Sequence, residues 1–155
     1  GMKVIAYDAF PDKSSDIEYV TLDEVLAKSD VITLHCPLFP ETKHMINKDS
    51  IAKMKDGVLL INSSRGGLIN TEDLLAAVKG VGLDVCEKEH EYFFEDRSDV
   101  TDKDPVLNEL LQDDRVVMTG HQAFFTVEAM TAIAQVTLNN LKAFIDGAEL
   151  VNEVK

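Results

Sequence analysis

Five short apolar runs recur along the 155-residue chain and constrain its fold more than any other feature. Each run is rich in Val, Ile and Leu and is nearly continuous, which is typical of strands covered on both faces of a parallel sheet. The intervening stretches carry helix signals, so strand and helix alternate and predict an α/β fold with right-handed crossovers. The runs are KVIAYD (residues 3–8), VITLHC (31–36), VLLINS (58–63), VGLDV (81–85) and VVMTG (116–120).

Three of the predicted helices have recognisable starts or stops. Thr21 and Glu24 fit a capping box at the start of the first. Thr71 is the predicted N-cap of another, which carries acidic residues in its first turn. The last helix, from about Val127, repeats apolar residues at helical spacing and is expected to pack along the sheet, with Gly147 as its stop.

Charge and composition exclude several classes of function. With 28 acidic and 15 basic residues the formal net charge is −13, which repels nucleic acids and anionic membrane surfaces, so neither is an expected partner. No apolar run approaches the roughly 20 residues that a membrane span needs. The N-terminal residues show no secretory signal, and a cytoplasmic protein is expected.

Cysteine and histidine spacing does not predict a metal site. Cys36 and Cys86 lie in or just after apolar runs, without the paired spacing of zinc ligands, and are expected to be reduced core thiols. The histidines also match no ligand motif, so a metal role for them is disfavoured. They are His35, His44, His90 and His121.

Polar residues that follow the predicted strands are the candidate functional residues, because open α/β sheets bind ligands at the carboxyl ends of their strands. Arg65 suits a carboxylate, and Gly66 beside it leaves room for a ligand, although an arginine paired with a surface acid is an equal alternative. His121 can exchange protons near neutral pH or be purely structural. Asp8 can accept ribose hydroxyl groups or simply be solvated.

Together, an arginine, a histidine and a nearby acid form the equipment for oxidising a 2-hydroxy acid. The arginine would hold the carboxylate of the substrate while the histidine takes the proton of its hydroxyl group. The hydride that leaves the same carbon requires a cofactor.

The chain resembles the D-isomer-specific 2-hydroxyacid dehydrogenases, and their D-lactate branch in particular, from residue 4 to about residue 145. SSRGG with a downstream histidine is shared across the family, whereas EYFFED and HQAFFT resemble the lactate branch. The resemblance implies a Rossmann-like parallel sheet flanked by helices, NAD as cofactor, a small 2-hydroxy or 2-keto acid as substrate, and a homodimer. The other matching stretches are VIAYDAFP, VITLHCPLFPETKHMIN, MKDGVLLINSSRGGLINTEDLLAAV and GLDVCEKE.

The resemblance also implies a role for each matched residue. Arg65 would bind the substrate carboxylate, His121 would be the general acid/base, and Glu89 would support His121 as the third member of the catalytic set. The implied NAD contacts are Asp8 at the adenosine ribose, Cys36, Pro37 and Thr42 along the adenosine and pyrophosphate half, and Ser63, Ser64 and Asp84 near the nicotinamide.

Two parts of the family pattern have no counterpart in these residues. Such dehydrogenases bind the pyrophosphate with a glycine-rich turn, between a first strand and a first helix, that precedes the strand ending in Asp8. Only seven residues precede Asp8 here. Residues 1–155 are therefore expected to form a partial NAD-binding domain, an incomplete Rossmann-like sheet without the first strand, turn and helix, and without the separate substrate-binding domain.

The first strand of such a sheet lies at its centre, and an unpaired backbone at a buried gap is costly. KVIAYD is therefore predicted to move next to VLLINS or VITLHC, unless a second chain closes the gap. If it moves, Asp8 no longer lies at the ribose site. An alternative function follows as well, in which the chain is a catalytically inactive remnant or a binding module that retains these residues by descent.

Overall fold

The computed structural model describes residues 1–74, 80–92 and 104–154 and contains two parallel sheets. The smaller sheet pairs β1 (Ile5–Ala6) with β2 (Glu18–Tyr19). All pairs in the larger sheet are parallel, so the carboxyl ends of its strands lie along one edge. In spatial order, its strands are β3 (Val31–Leu34), β4 (Leu59–Asn62), β5 (Gly80–Leu83) and β6 (Val116–Met118).

Helices alternate with the strands of the larger sheet, as the sequence predicts. The predicted strands all form, which confirms the Rossmann-like α/β class, whereas β2 is too short to have a sequence pattern of its own. The helices are α1 (Leu22–Lys28), α2 (Lys48–Ile51), α3 (Thr71–Leu74), α4 (Glu89–Tyr92), α5 (Pro105–Gln112) and α6 (Val127–Asp146), and Gly66–Leu68 form a 3₁₀ turn.

The helix ends agree with the sequence at two of three positions. The capping box is confirmed, because the Glu24 amide donates to the Thr21 hydroxyl at 3.2 Å and the Thr21 amide donates to the Glu24 carboxylate at 3.0 Å. Gly147 ends α6 in the left-handed conformation, with φ of 65°. The N-cap at Thr71 is wrong, because α3 begins at Thr71 itself and its hydroxyl donates to Glu87 at 2.8 Å.

Only one face of the larger sheet is buried. Burial alternates along β3 and β4, which places Leu60 at 0% exposure and its neighbour Leu59 at 43%. The prediction that the strands are covered on both faces is therefore wrong for the described residues. The core cluster joins inward residues of the sheet (Ile32, Leu34, Leu60, Val81 and Leu83) to residues of α1, α2, α3 and α5 (Leu26, Ile51, Leu74 and Leu110).

The strand order is interrupted between β1 and β3. Among the described strands, β1 pairs with β2 alone and β3 with β4 alone. The prediction that KVIAYD moves next to VLLINS or VITLHC is therefore wrong, whereas closure of the gap by a second chain stays a prediction. The order β2, β1, then β3 to β5 matches a doubly wound sheet with one position open.

The chain divides into two compact units, Gly1–His121 with both sheets and Gln122–Lys155 with α6. In the second unit, the Thr126 hydroxyl caps α6 by accepting from the Ala129 amide at 3.2 Å. No residue of α6 is buried, and its packing along the sheet stays a prediction. No helix within the described ranges combines the length and apolar character that crossing a membrane requires.

Replacing the two neighbouring leucines of β4 tests this one-sided burial. Leu60→Ala should lower the free energy of unfolding by about 2–5 kcal/mol, because it leaves a cavity in the core. Leu59→Ala, on the open face, should cost less than about 1 kcal/mol. Urea denaturation followed by circular dichroism measures both, and equal losses would contradict the assigned faces.

Candidate functional site

The carboxyl edge of the larger sheet, where its parallel strands end, collects most of the residues singled out from the sequence. The chain leaves each strand there and continues with polar or charged side chains. The segments that follow the strands are Cys36-Pro37 after β3, Ser63-Ser64-Arg65 after β4, Asp84 after β5, and Thr119 to His121 after β6.

The His121 ring contacts the Glu89 carboxylate at this edge. The ring Nδ1 of His121 lies 3.1 Å from Oε1 of Glu89, and both side chains are half-buried. Because an ionised carboxylate only accepts hydrogen bonds, this contact places a proton on Nδ1. The His121 amide donates to the carbonyl oxygen of Asp84 at 2.7 Å, which ties His121 to the end of β5.

Arg65 lies at the same edge with its side chain exposed. Its Nη1 donates to the carbonyl oxygen of Ser64 at 2.8 Å. Within the described ranges, no carboxylate forms an ion pair with the guanidinium. The alternative that Arg65 pairs with a surface acid therefore has no support among these residues.

Asn62 is a site residue that the sequence reasoning missed. It is 0% exposed at the end of β4, where its side chain accepts from the Ser64 amide at 3.0 Å and donates to the Arg65 carbonyl at 2.9 Å. The Ser64 hydroxyl in turn donates to the Cys36 carbonyl at 2.7 Å. These bonds fix the turn that presents Arg65. An amide side chain on the inward face of an apolar strand was the available signal.

Thr119 was missed as well. Its hydroxyl donates to the carboxylate of Asp84, which is 7% exposed. A buried carboxylate needs such a donor, because an unpaired one would lose its hydration without compensation. Thr119 thereby fixes the side chain that the resemblance places near the nicotinamide.

Gly66 brings the turn after β4 into direct backbone contact with the segment after β5. A Cβ atom on Gly66 would lie 2.0 Å from the carbonyl carbon of Cys86 and 2.6 Å from the amide nitrogen of Glu87. Only glycine permits this approach. The backbone that follows Arg65 therefore rests on the segment that leads to Glu89.

Asp8 and Cys36 follow the two strands on either side of the break between the sheets, β1 and β3. Burial raises the pKa of the Cys36 thiol, and the carboxylate of Asp8 raises it further. Such breaks in strand order are where open α/β sheets bind dinucleotides, and an exposed carboxylate can accept ribose hydroxyl groups. Thr42 braces the next turn, because its hydroxyl donates to the Pro37 carbonyl at 2.8 Å.

The sequence also predicts that Cys86 is a reduced core thiol and that the histidines hold no metal ion. Burial raises the pKa of the Cys86 thiol to about 11, so it is protonated and unreactive at neutral pH. Where the structure describes the chain, no three His, Cys, Asp or Glu side chains converge as a metal ion would require.

The EYFFED motif extends from α4 into residues 93–96, which lie outside the described residues.

A parallel sheet that presents an arginine and a histidine–carboxylate pair at the carboxyl ends of its strands has the arrangement of an open α/β ligand-binding site. Residues 1–123 match the profile of the family described as D-isomer specific 2-hydroxyacid dehydrogenase, NAD binding domain. The chain belongs to this family. NAD is the cofactor of the family, as the sequence predicts.

Relatives of known sequence and structure support the assignment. D-lactate dehydrogenase of Escherichia coli is 41% identical over 99% of this chain and 49% of its own length. The solved pyruvate reductase of Chlamydomonas reinhardtii superposes with a TM-score of 0.88 at 43% identity, over 97% of this chain and 48% of that one. D-lactate dehydrogenase with NAD⁺ from Lactobacillus jensenii gives a TM-score of 0.91 at 31% identity, over 99% and 48% of the two chains. This chain thus spans about half the length of these relatives.

Two glycine substitutions test the backbone contact that joins the Arg65 turn to the Glu89 segment. Gly66→Ala should destabilise the fold by more than about 3 kcal/mol, because the added methyl group overlaps backbone atoms that cannot move independently. Gly82→Ala is the matched control, since its methyl group would lie 3.7 Å from the Ile61 side chain, an ordinary contact. Thermal unfolding followed by circular dichroism compares them, and a tolerated Gly66→Ala would contradict the contact.

Proposed function

We propose that residues 1–155 are the NAD-binding part of a D-lactate dehydrogenase, which transfers hydride between a nicotinamide cofactor and a small D-2-hydroxy acid or its 2-keto acid. The observation that carries the proposal is the 3.1 Å contact between His121 and Glu89 on the sheet edge that also presents Arg65. A histidine held by a carboxylate is the usual arrangement for a general acid/base.

Each member of the proposed catalytic set has a distinct role. Arg65 would bind the substrate carboxylate through two parallel hydrogen bonds, since its guanidinium forms no ion pair with a described residue. His121 would take the proton of the substrate hydroxyl at Nε2, because Nδ1 is directed at Glu89. The charge of Glu89 would stabilise the imidazolium that results. NAD, when bound, supplies the carbon that accepts the hydride.

The remaining strand-end residues would contact the cofactor. Asp8 follows β1, and Cys36, Pro37 and Thr42 follow β3, the strands on either side of the break, which supports their proposed place along the adenosine and pyrophosphate. Asp84 follows β5, and Ser63 and Ser64 follow the neighbouring strand β4. Their position at the same edge as His121 supports the proposed contacts with the nicotinamide. By the same family resemblance we propose a homodimer. We also propose a cytoplasmic location, as expected from the sequence.

Substrate binding by Arg65 is tested on the chain itself. NADH is titrated by calorimetry, and pyruvate reduction is then assayed on the same sample. Arg65→Ala should reduce kcat/KM for pyruvate by about 10²-fold or more, because two charge-assisted hydrogen bonds are lost. It should leave NADH binding unchanged. Arg115→Ala is the matched control, because Arg115 pairs with Asp113 at 2.6 Å and has no proposed role in the site.

The outcomes separate the two functional alternatives. NADH binding in about the micromolar range with Arg65-dependent turnover supports the dehydrogenase. Absence of binding at roughly millimolar NADH would favour an inactive remnant. Binding without turnover of pyruvate would favour a binding module.

A further inference from the structure

A second histidine–glutamate pair lies directly beside the first. Nε2 of His44 is 2.6 Å from Oε1 of Glu87, only two residues before Glu89. Oε2 of Glu87 also accepts from the Thr71 amide at 3.0 Å and from the Thr71 hydroxyl at 2.8 Å. One carboxylate thus receives three hydrogen bonds from two separate parts of the chain.

The partners of Glu87 are themselves anchored to the turn that carries Arg65. The His44 amide donates to the Gly67 carbonyl at 2.8 Å. Thr71 follows the same turn by a few residues and begins α3. Glu87 therefore connects the segment after β5 to the segment after β4 through side chains, next to the backbone contact at Gly66.

Glu89 needs such an anchor because its own element is weak. It begins α4, a helix of four residues, and helices this short do not form without tertiary contacts. The bond from the Cys86 amide to Oε2 of Glu89 is long, at 3.4 Å. A displacement of this segment by a fraction of an ångström would lengthen the contact between Glu89 and His121.

The backbone of both histidines is strained in the same way. Among the described residues, His44 and His121 are the non-glycine residues with positive φ, at 53° and 54°. Such conformations persist only where the surrounding contacts over-determine them. Each of these histidines contacts a carboxylate of the same three-residue stretch, 87–89.

The carboxylate of Glu87 is ionised under ordinary conditions. Partial burial opposes ionisation, but hydrogen bonds from the Thr71 amide, the His44 ring and the Thr71 hydroxyl outweigh it and lower the pKa of Glu87. Since the folded-state pKa lies below the unfolded value, this anchor stabilises the fold above the unfolded pKa. The contribution is lost as the pH falls through the folded value.

We infer that Glu87 is a positioning residue for the proposed dehydrogenase reaction, which holds Glu89 against His121 through its contacts with His44 and Thr71. The inference rests on the proposed function for its catalytic meaning but makes a structural claim that is testable without turnover. Loss of the anchor should release Glu89 from the ring of His121.

The test is the ring ¹⁵N NMR spectrum of His121 at pH 8 in the 155-residue chain. In the unaltered chain the neutral ring should carry its proton on Nδ1, facing Glu89. Glu87→Ala should shift the tautomer toward Nε2–H, the form preferred by free histidine. His44→Asn should produce the same shift, because asparagine tolerates the left-handed backbone but is too short to reach Glu87.

The double variant should shift the tautomer no further than Glu87→Ala alone, because Glu87→Ala already removes the contact with His44. Glu91→Gln is the matched control, since Glu91 also lies in α4 but is outside both pairs with His44 and His121, and it should leave the spectrum unchanged. An unchanged His121 tautomer in folded Glu87→Ala and His44→Asn would overturn the inference, whether or not the chain is active.

Kinetics provide the second readout. Where the unaltered chain reduces pyruvate, Glu87→Ala should lower kcat about tenfold, a part of the roughly 10²–10⁴ that a positioned acid or base contributes. KM for pyruvate should change by less than about twofold, because Arg65 remains in place. A rise in KM at constant kcat would overturn the positioning role. A tautomer shift in a chain without turnover would instead retain the positioning role and reject the dehydrogenase proposal.

Discussion

The parallel pairing from β3 to β6 is the constraint on which the rest of the site depends. It aligns the carboxyl ends of four strands, so residues far apart in sequence leave the sheet at one edge. Asn62 and Asp84 are both buried at these ends. Asn62 holds the turn after its own strand by donating to the Arg65 carbonyl, and Asp84 accepts from Thr119 after the neighbouring strand. Within the described residues, no buried side-chain nitrogen or oxygen lacks a partner. The edge therefore combines close packing with a satisfied polar network.

The net negative charge of the chain makes the position of Arg65 important for binding an anionic substrate. A chain with a net charge of −13 repels an anionic keto acid at long range. That repulsion is screened beyond about 8 Å at physiological ionic strength, whereas a guanidinium in contact with a carboxylate acts at hydrogen-bond distance. A local cation beside His121 and Glu89 can thus bind an anion despite the acidic surface. The acidic composition predicts no nucleic acid partner and is compatible with a small anionic substrate.

Most local signals in the sequence were reliable, with the N-cap at Thr71 as the exception. The capping box of Thr21 and Glu24, the stop at Gly147 and the five strand runs depend on neighbouring residues, and all are present. The covering of both faces of the sheet was predicted wrongly, because continuous apolar runs do not specify which faces are covered. The place of KVIAYD was also predicted wrongly. Its pairing partner β2 has only two residues, and a strand this short has no sequence pattern that identifies it.

The sequence by itself determined the α/β alternation, the family and the residues that end each strand, because these follow from periodicity and motif. Only the tertiary structure decided how those residues meet. It decided that Asn62 is buried. It also joined segments separated by up to 43 residues, through the contact of Gly66 with Cys86 and the pairs Glu87–His44 and Glu89–His121. Such contacts depend on strand order and register, which arise when the whole sheet assembles, and no local pattern encodes them.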